Sequence, residues 1–94
     1  MAQNIFVALS DPTRRAVLRM LRQGSRAAGD IADAFELSKP TMSHHLRVLK
    51  GAGLVRAERQ GTSIVYTLQS NVVEDAVAEL MGMMATPIKK RART

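Results

Sequence analysis

Within KPTMSHHLRVLKGA, residues 39–52, the side chains of Thr41, Ser43, His44 and Arg47 could do the chemistry of recognition. At about 100° of rotation per residue they fall, with Pro40, away from the face made by Met42, Leu46 and Leu49. The hydroxyls of Thr41 and Ser43 can donate to or accept from bases and phosphates. Arg47 can bond guanine through two nitrogens, and His44 can donate from either ring nitrogen according to its tautomer. Lys39 adds a cation at the start of the same helix. One side of such a helix can be anchored in a core while the other meets a DNA groove. A polar helix face is by itself only a solvated face, so its neighbours decide the reading.

The adjacent pair His44 and His45 invites a metal or catalytic reading. Consecutive helical residues diverge too far to chelate one ion, which requires spacings of three or four. His45 lies beside the Met42 and Leu49 face and reads as a packing residue hydrogen-bonded within the fold. The chain has no cysteine, which removes thiolate ligands and disulfides and fits a reducing cytoplasm. No nucleophile is accompanied by an orienting acid, so no catalytic residue, metal or cofactor is expected.

A second polar group surrounds Gly61, where Arg56, Arg59, Gln60 and Thr62 flank a hairpin tip. Such a tip can carry a guanidinium and an amide to a phosphate or the minor groove beside the major-groove helix. The 14 Lys and Arg against 8 Asp and Glu give a net charge of +6, which suits a polyanionic partner. Lys89, Lys90, Arg91 and Arg93 account for much of it, leaving residues 1–88 with a net of +2. Placement of the cations is therefore better evidence than their number. Phe6, Phe35 and Tyr66 are the only aromatic residues and make no stacking platform for single strands, so duplex DNA is the expected target.

Several elements must hold these groups in place. Residues 4–9 read as a short helix with Ile5, Phe6 and Leu9 on one side. Asp11 caps a second helix with Pro12 in its first turn, Ala16, Val17, Met20 and Leu21 form its apolar face, and Gly24 follows its end. Arg15, Arg19, Arg22 and Arg26 recur at helical intervals, a stripe read first as solvated and second as a set of phosphate contacts. A third helix, 28–35, points Ile31 and Phe35 inward and has Ala27 where a capping side chain would normally stand. Glu36, Leu37 and Ser38 make a turn, with Leu37 buried. Ser38 or Lys39 caps the helix that carries Thr41 to Arg47, and Gly53 terminates it. Strands at 54–60 and 63–68 follow, with Ile64, Tyr66 and Leu68 on the buried face. Asn71 caps a last helix with Glu74 and Asp75 near its positive end. That helix carries Val73, Val77, Leu80, Met81 and Met84 in a stripe, widened by Val72 and Ala76, until Pro87 stops it.

The expected architecture is mainly α with a two-stranded β wing, a winged helix-turn-helix over residues 1–86, followed by a basic disordered tail at 87–94. A chain of 94 residues makes one domain with a small core, which association would enlarge. The last helix can cover its own domain with one edge of its stripe and a second subunit with the other. No apolar run approaches the roughly 20 residues of a membrane span, and the amino terminus lacks a basic region followed by a long apolar core, so no membrane insertion is expected.

At SDPTRRAVLRML, SKPTMSHHLRVLKGAGLV and RQGTSIVYTL the chain resembles the ArsR/SmtB-type winged-helix repressors, and within them the cysteine-free autorepressors of the sporulation-delay type. The resemblance runs from Ile5 to about Met84. It implies a homodimer paired through its first and last helices, through Ile5, Phe6, Leu9, Val73, Val77, Leu80, Met81 and Met84, that occupies an imperfect palindrome of operator DNA and blocks transcription. Metal-sensing members carry cysteines where this chain has residues 31–34, and histidine ligands on the last helix, where this chain has none. Glu74, Asp75 and Glu79 without imidazole make a poor transition-metal site, so the resemblance does not extend to metal or persulfide sensing. The same subgroup suggests a protein anti-repressor. The rival reading is a winged-helix protein-interaction module that does not bind DNA, for which exposed apolar residues on the recognition face would be expected.

Overall fold

Three of the described helices begin where a short polar side chain caps the first turn. The computed structural model describes residues 4–85. Asn4 opens α1 (Ile5–Ala8) by accepting from the backbone N–H groups of Phe6 and Val7. Asp11 caps α2 (Pro12–Leu21) by accepting from Arg14 N at 3.0 Å, with Pro12 in the first turn, where its missing N–H costs no hydrogen bond. Ser38 does the same for α4 (Lys39–Gly51), accepting from Thr41 N at 3.2 Å ahead of Pro40. At the start of α3 (Ala28–Ala34), Ala27 makes no side-chain cap, as the sequence leads one to expect.

Both helices of the motif end alike. After α4, Gly53 N donates to Lys50 O and Leu54 N to Leu49 O, with Gly53 at φ +79°. After α3, Glu36 N donates to Asp33 O and Leu37 N to Ala32 O. This is the paired closure that requires a left-handed residue after the helix. Glycine supplies it without strain at position 53. Glu36 supplies it at φ 55°, a backbone region costly for a residue with a Cβ.

The wing hairpin joins β2 (Val55–Gln60) to β3 (Ser63–Leu68) in antiparallel register, from Val55 opposite Leu68 to Gln60 opposite Ser63. A third strand, β1 (Arg26–Ala27), lies on the other edge of β3, with Arg26 opposite Tyr66 and Ala27 opposite Val65. The two-stranded wing is present as expected, and β1 extends it into a three-stranded sheet. Two residues carry no strand periodicity of their own, and only β3 gives them a pairing edge. A hydrogen bond of 2.7 Å between the hydroxyls of Ser25 and Thr67 extends the pairing by one position.

The core is formed by Val17, Leu18 and Leu21 from α2, Ile31 and Ala32 from α3, Met42, Leu46 and Leu49 from α4, and Leu54 and Val55, with Ala8 beneath α1. Full burial of each large aliphatic side chain stabilises the fold by roughly 1.5–3 kcal/mol. Several expectations change. The inward face of α2 is Arg14, Val17, Leu18 and Leu21, while Ala16 and Met20 are only half-buried. Arg26 leaves the arginine stripe, because α2 ends at Leu21 and Arg26 lies in β1. Leu37 and Phe35 are half-buried against the core. Of the alternating wing residues, Tyr66 and Leu68 pack on the core but Ile64, nearer the hairpin tip, does not reach it.

The last helix, α5, spans Ser70–Ala85, beginning two residues before the start that an Asn71 cap implies, so Asn71 lies inside its first turn and that turn holds no acidic residue. Val72 and Val73 pack against the core and Ala76 is buried. Beyond them Val77, Leu80, Met81, Met83 and Met84 are exposed. No described helix is long and apolar enough to cross a membrane. The basic tail expected at 87–94, and the stop at Pro87, lie outside the described residues.

Candidate nucleic-acid interface

The first half of α4 presents its polar side outward. Lys39, Pro40, Thr41, Ser43, His44 and Arg47 are all exposed, and Met42, Leu46 and Leu49 are buried on the opposite side. Ser38 Oγ donates to Thr41 Oγ1 at 2.9 Å, so the Thr41 hydroxyl is oriented with its own proton free to be donated. Ser43 and Arg47 have no side-chain hydrogen bond among the described residues, and His44 meets only the tilted ring of His45, with centroids 5.7 Å apart. Their hydrogen-bonding capacity is therefore available to an external partner.

The wing stands beside this face. Its loop is Gly61 and Thr62, with Gly61 at φ +65°, and Arg59, Gln60 and Thr62 are exposed at or next to the tip. Between wing and recognition helix lies a cleft of about 280 Å³, with Lys39, Ser43, Thr62 and Ser63 on its polar walls and Met42, Leu46 and Ile64 beneath. Lys39, Ser43 and Thr62, which come from two separate segments, thus surround one opening. Pro40, Thr41, His44 and Arg47 lie outside this cleft along α4, and Arg59 and Gln60 extend beyond it on the wing. Arg56 does not belong to the tip: it sits opposite Thr67 and donates to Gln69 Oε1 at 3.1 Å. Arg19 and Arg22 line a different cleft, against Ser70, Val73 and Glu74 of α5, rather than the recognition face.

Sequence reasoning missed Arg14. It is 9% exposed and is the one buried charged side chain among the described residues. Its Nε donates to Ala8 O at 2.7 Å and its Nη2 to Val7 O at 3.2 Å, while Nη1 lies 3.3 Å from His45 Nδ1. A signal was present: Arg14, Val17, Leu18 and Leu21 occupy positions i, i+3, i+4 and i+7, so an arginine begins the inward stripe. His45 packs and bonds within the fold as expected, and its Nδ1 is also 3.9 Å from Asp11 Oδ2. The hydrogen bond from Arg14 N, with the nearby positive charge of the Arg14 guanidinium, holds the Asp11 carboxyl below its usual value against the opposing effect of burial.

Phe6, Val77, Leu80, Met81 and Met84 are all at least 42% exposed, whereas Ile5, Leu9 and Val73 are half-buried against the core. The exposed large apolar residues lie on α1 and α5, and none of them is on α4 or the wing. No group of three or more His, Cys, Asp or Glu that could hold a metal occurs among the described residues.

Residues 11–57 match the family model described as bacterial regulatory protein, arsR family. Over 74 residues the chain is 47% identical to the transcriptional repressor SdpR of Bacillus subtilis, covering 79% of this chain and 82% of that one. Among solved structures it superposes on the ArsR family transcriptional regulator RHA00566 with a TM-score of 0.73 at 31% identity, covering 88% of this chain and 94% of that one. It is also similar to the homodimeric winged helix-turn-helix DNA-binding domain of Mb0332 from Mycobacterium bovis, with a TM-score of 0.69 at 33% identity, covering 85% and 76% of the two chains. A helix-turn-helix with an adjoining wing, matched in sequence across both and in structure over most of its length, makes this chain a member of the ArsR family of transcriptional regulators.

Proposed function

We propose that the protein is a homodimeric repressor that binds an inverted repeat in double-stranded operator DNA. The observation that carries this reading is the side of α4 on which Ser43, His44 and Arg47 are exposed without side-chain hydrogen bonds to the described fold, next to the cleft that Lys39 and Thr62 share. Thr41, Ser43, His44 and Arg47 read base edges in the major groove, with Pro40 against the groove wall, while Lys39, Arg59, Gln60 and Thr62 hold the backbone. The similar SdpR is named a transcriptional repressor and the similar Mb0332 domain is homodimeric.

Phe6 on α1 and Val77, Leu80, Met81 and Met84 on α5 form the subunit seam, with Ile5, Leu9 and Val73 bridging it to the core; a second copy removes this apolar surface from water. Two recognition helices related by a two-fold axis then enter successive major grooves about 10 base pairs apart. The absence of thiols and of histidine on α5 favours regulation independent of metal, with release by a protein anti-repressor rather than an ion. A protein-interaction module would place apolar residues on the α4 face, and the exposed large apolar residues are elsewhere.

Selection of bound duplexes from random DNA, followed by affinity measurement on the enriched sequence and a scrambled control, tests the reading. Enrichment of an inverted repeat is the expected result. Equal affinity for both duplexes would overturn it.

A further inference from the structure

We propose that Arg14 and His45 form a polar joint that fixes the recognition helix against α1 and thereby sets the half-site spacing the dimer accepts. The proposal rests on the dimeric DNA-binding reading above. Arg14 belongs to α2, yet its guanidinium holds two carbonyls of α1, on Val7 and Ala8, and reaches a ring nitrogen of α4. α1 carries the exposed Phe6 and Val7 beside which a second subunit would pack. One planar group therefore connects the helix of the subunit seam with the helix that faces DNA.

The chemistry of the joint is directional. A guanidinium has donors only, so His45 Nδ1 must accept and the ring proton resides on Nε2. This assigns one tautomer and one ring orientation to a residue next to His44 and two positions from Arg47. The Asp11 carboxylate, whose Oδ2 accepts from Arg14 N at 3.0 Å, lies within the field of the guanidinium and offsets part of its charge. A buried charge costs desolvation energy that an aliphatic side chain of similar size would avoid. What Arg14 gives in return is angular definition: acceptors on two different helices must both lie in the plane of its fork. A shift of α4 relative to α1 breaks one set of bonds or the other, whereas apolar contacts alone would let the helices slide.

Arg14 and His45 are thus positioning residues, acting on DNA through the placement of α4. The experiment compares the intact protein with H45Q, H45L and R14M on duplexes in which two copies of the selected half-site are separated by spacers of different length. Binding to scrambled duplex, sedimentation and thermal melting are measured alongside. The parent should show one sharp spacing optimum. H45Q keeps an acceptor for the guanidinium and should retain that optimum. H45L and R14M should broaden or shift it and lose about tenfold in operator affinity, with binding to scrambled duplex within about twofold of the parent and the dimer intact. H45L leaves the Arg14 bonds to α1 untouched, so it reports on the joint even where R14M melts.

An H45L protein with the parent's sharp optimum would overturn the joint alone. So would an H45Q protein that fails as H45L does, or equal losses on operator and scrambled DNA. A parent that selects no inverted repeat would overturn the DNA-binding reading, and the joint with it.

Discussion

The carboxylate of Asp11 accepts a hydrogen bond from the backbone N–H of Arg14 at 3.0 Å, and the side chain of the same Arg14 turns inward to bond α1 and approach α4. A helix cap and a buried cation are thus built on one residue step. Because the cap bond and the neighbouring Arg14 charge depress the folded-state pKa of Asp11, its stabilisation is fully present above the unfolded carboxylate value of about 4 and is lost as pH falls through the lower folded value. Asp11→Ala should cost about 1 kcal/mol at pH 7. The difference between parent and variant should shrink in denaturation curves taken at progressively lower pH in that acid range. A difference that grew on acidification would contradict the assignment.

Ser43→Ala and Arg47→Ala should each weaken operator binding by about 1–3 kcal/mol, since each removes an exposed donor without opening the core. Melting temperatures should match the parent. Losses that are equal on scrambled DNA would mean that these residues do not read sequence.

Two backbone positions leave room for stabilisation. Ala27→Ser supplies the side-chain acceptor that the start of α3 lacks and should add about 0.5–1 kcal/mol. Glu36→Gly relieves the left-handed strain at φ 55° and, after the entropy cost of glycine, should add about 0.5–1 kcal/mol. Chemical denaturation measures both, and a lower midpoint in either variant would contradict its rationale.

Leu80→Arg places a charge within the exposed stripe of α5. It should give monomers in sedimentation and weak binding to single half-sites, because the second subunit's contacts are lost. A parent protein that is itself monomeric at micromolar concentration with full operator affinity would defeat the dimer proposal.

The elements whose signals close within a few residues were determined by the sequence itself. Asp11 with Pro12, Ser38 with Pro40, and Gly53 act through bonds that reach three to five residues along the chain, and the spacing of Met42, Leu46 and Leu49 selects the inward side of α4 and so the outward set from Thr41 to Arg47. Tertiary structure decided what depends on distant partners. β1 exists because Tyr66 and Val65 offer an edge to Arg26 and Ala27. Lys39, Ser43 and Thr62 share a cleft because the hairpin folds back beside α4. Arg14 stands apart from the Arg15, Arg19 and Arg22 stripe and had no role assigned from the chain; only the arrival of α1 carbonyls and the His45 ring, from 6 to 31 residues away in sequence, supplied the acceptors that make its burial tolerable. A hydrogen-bond acceptor contributed by another segment leaves no periodicity in the chain, which is why such a joint becomes visible only once the helices are packed.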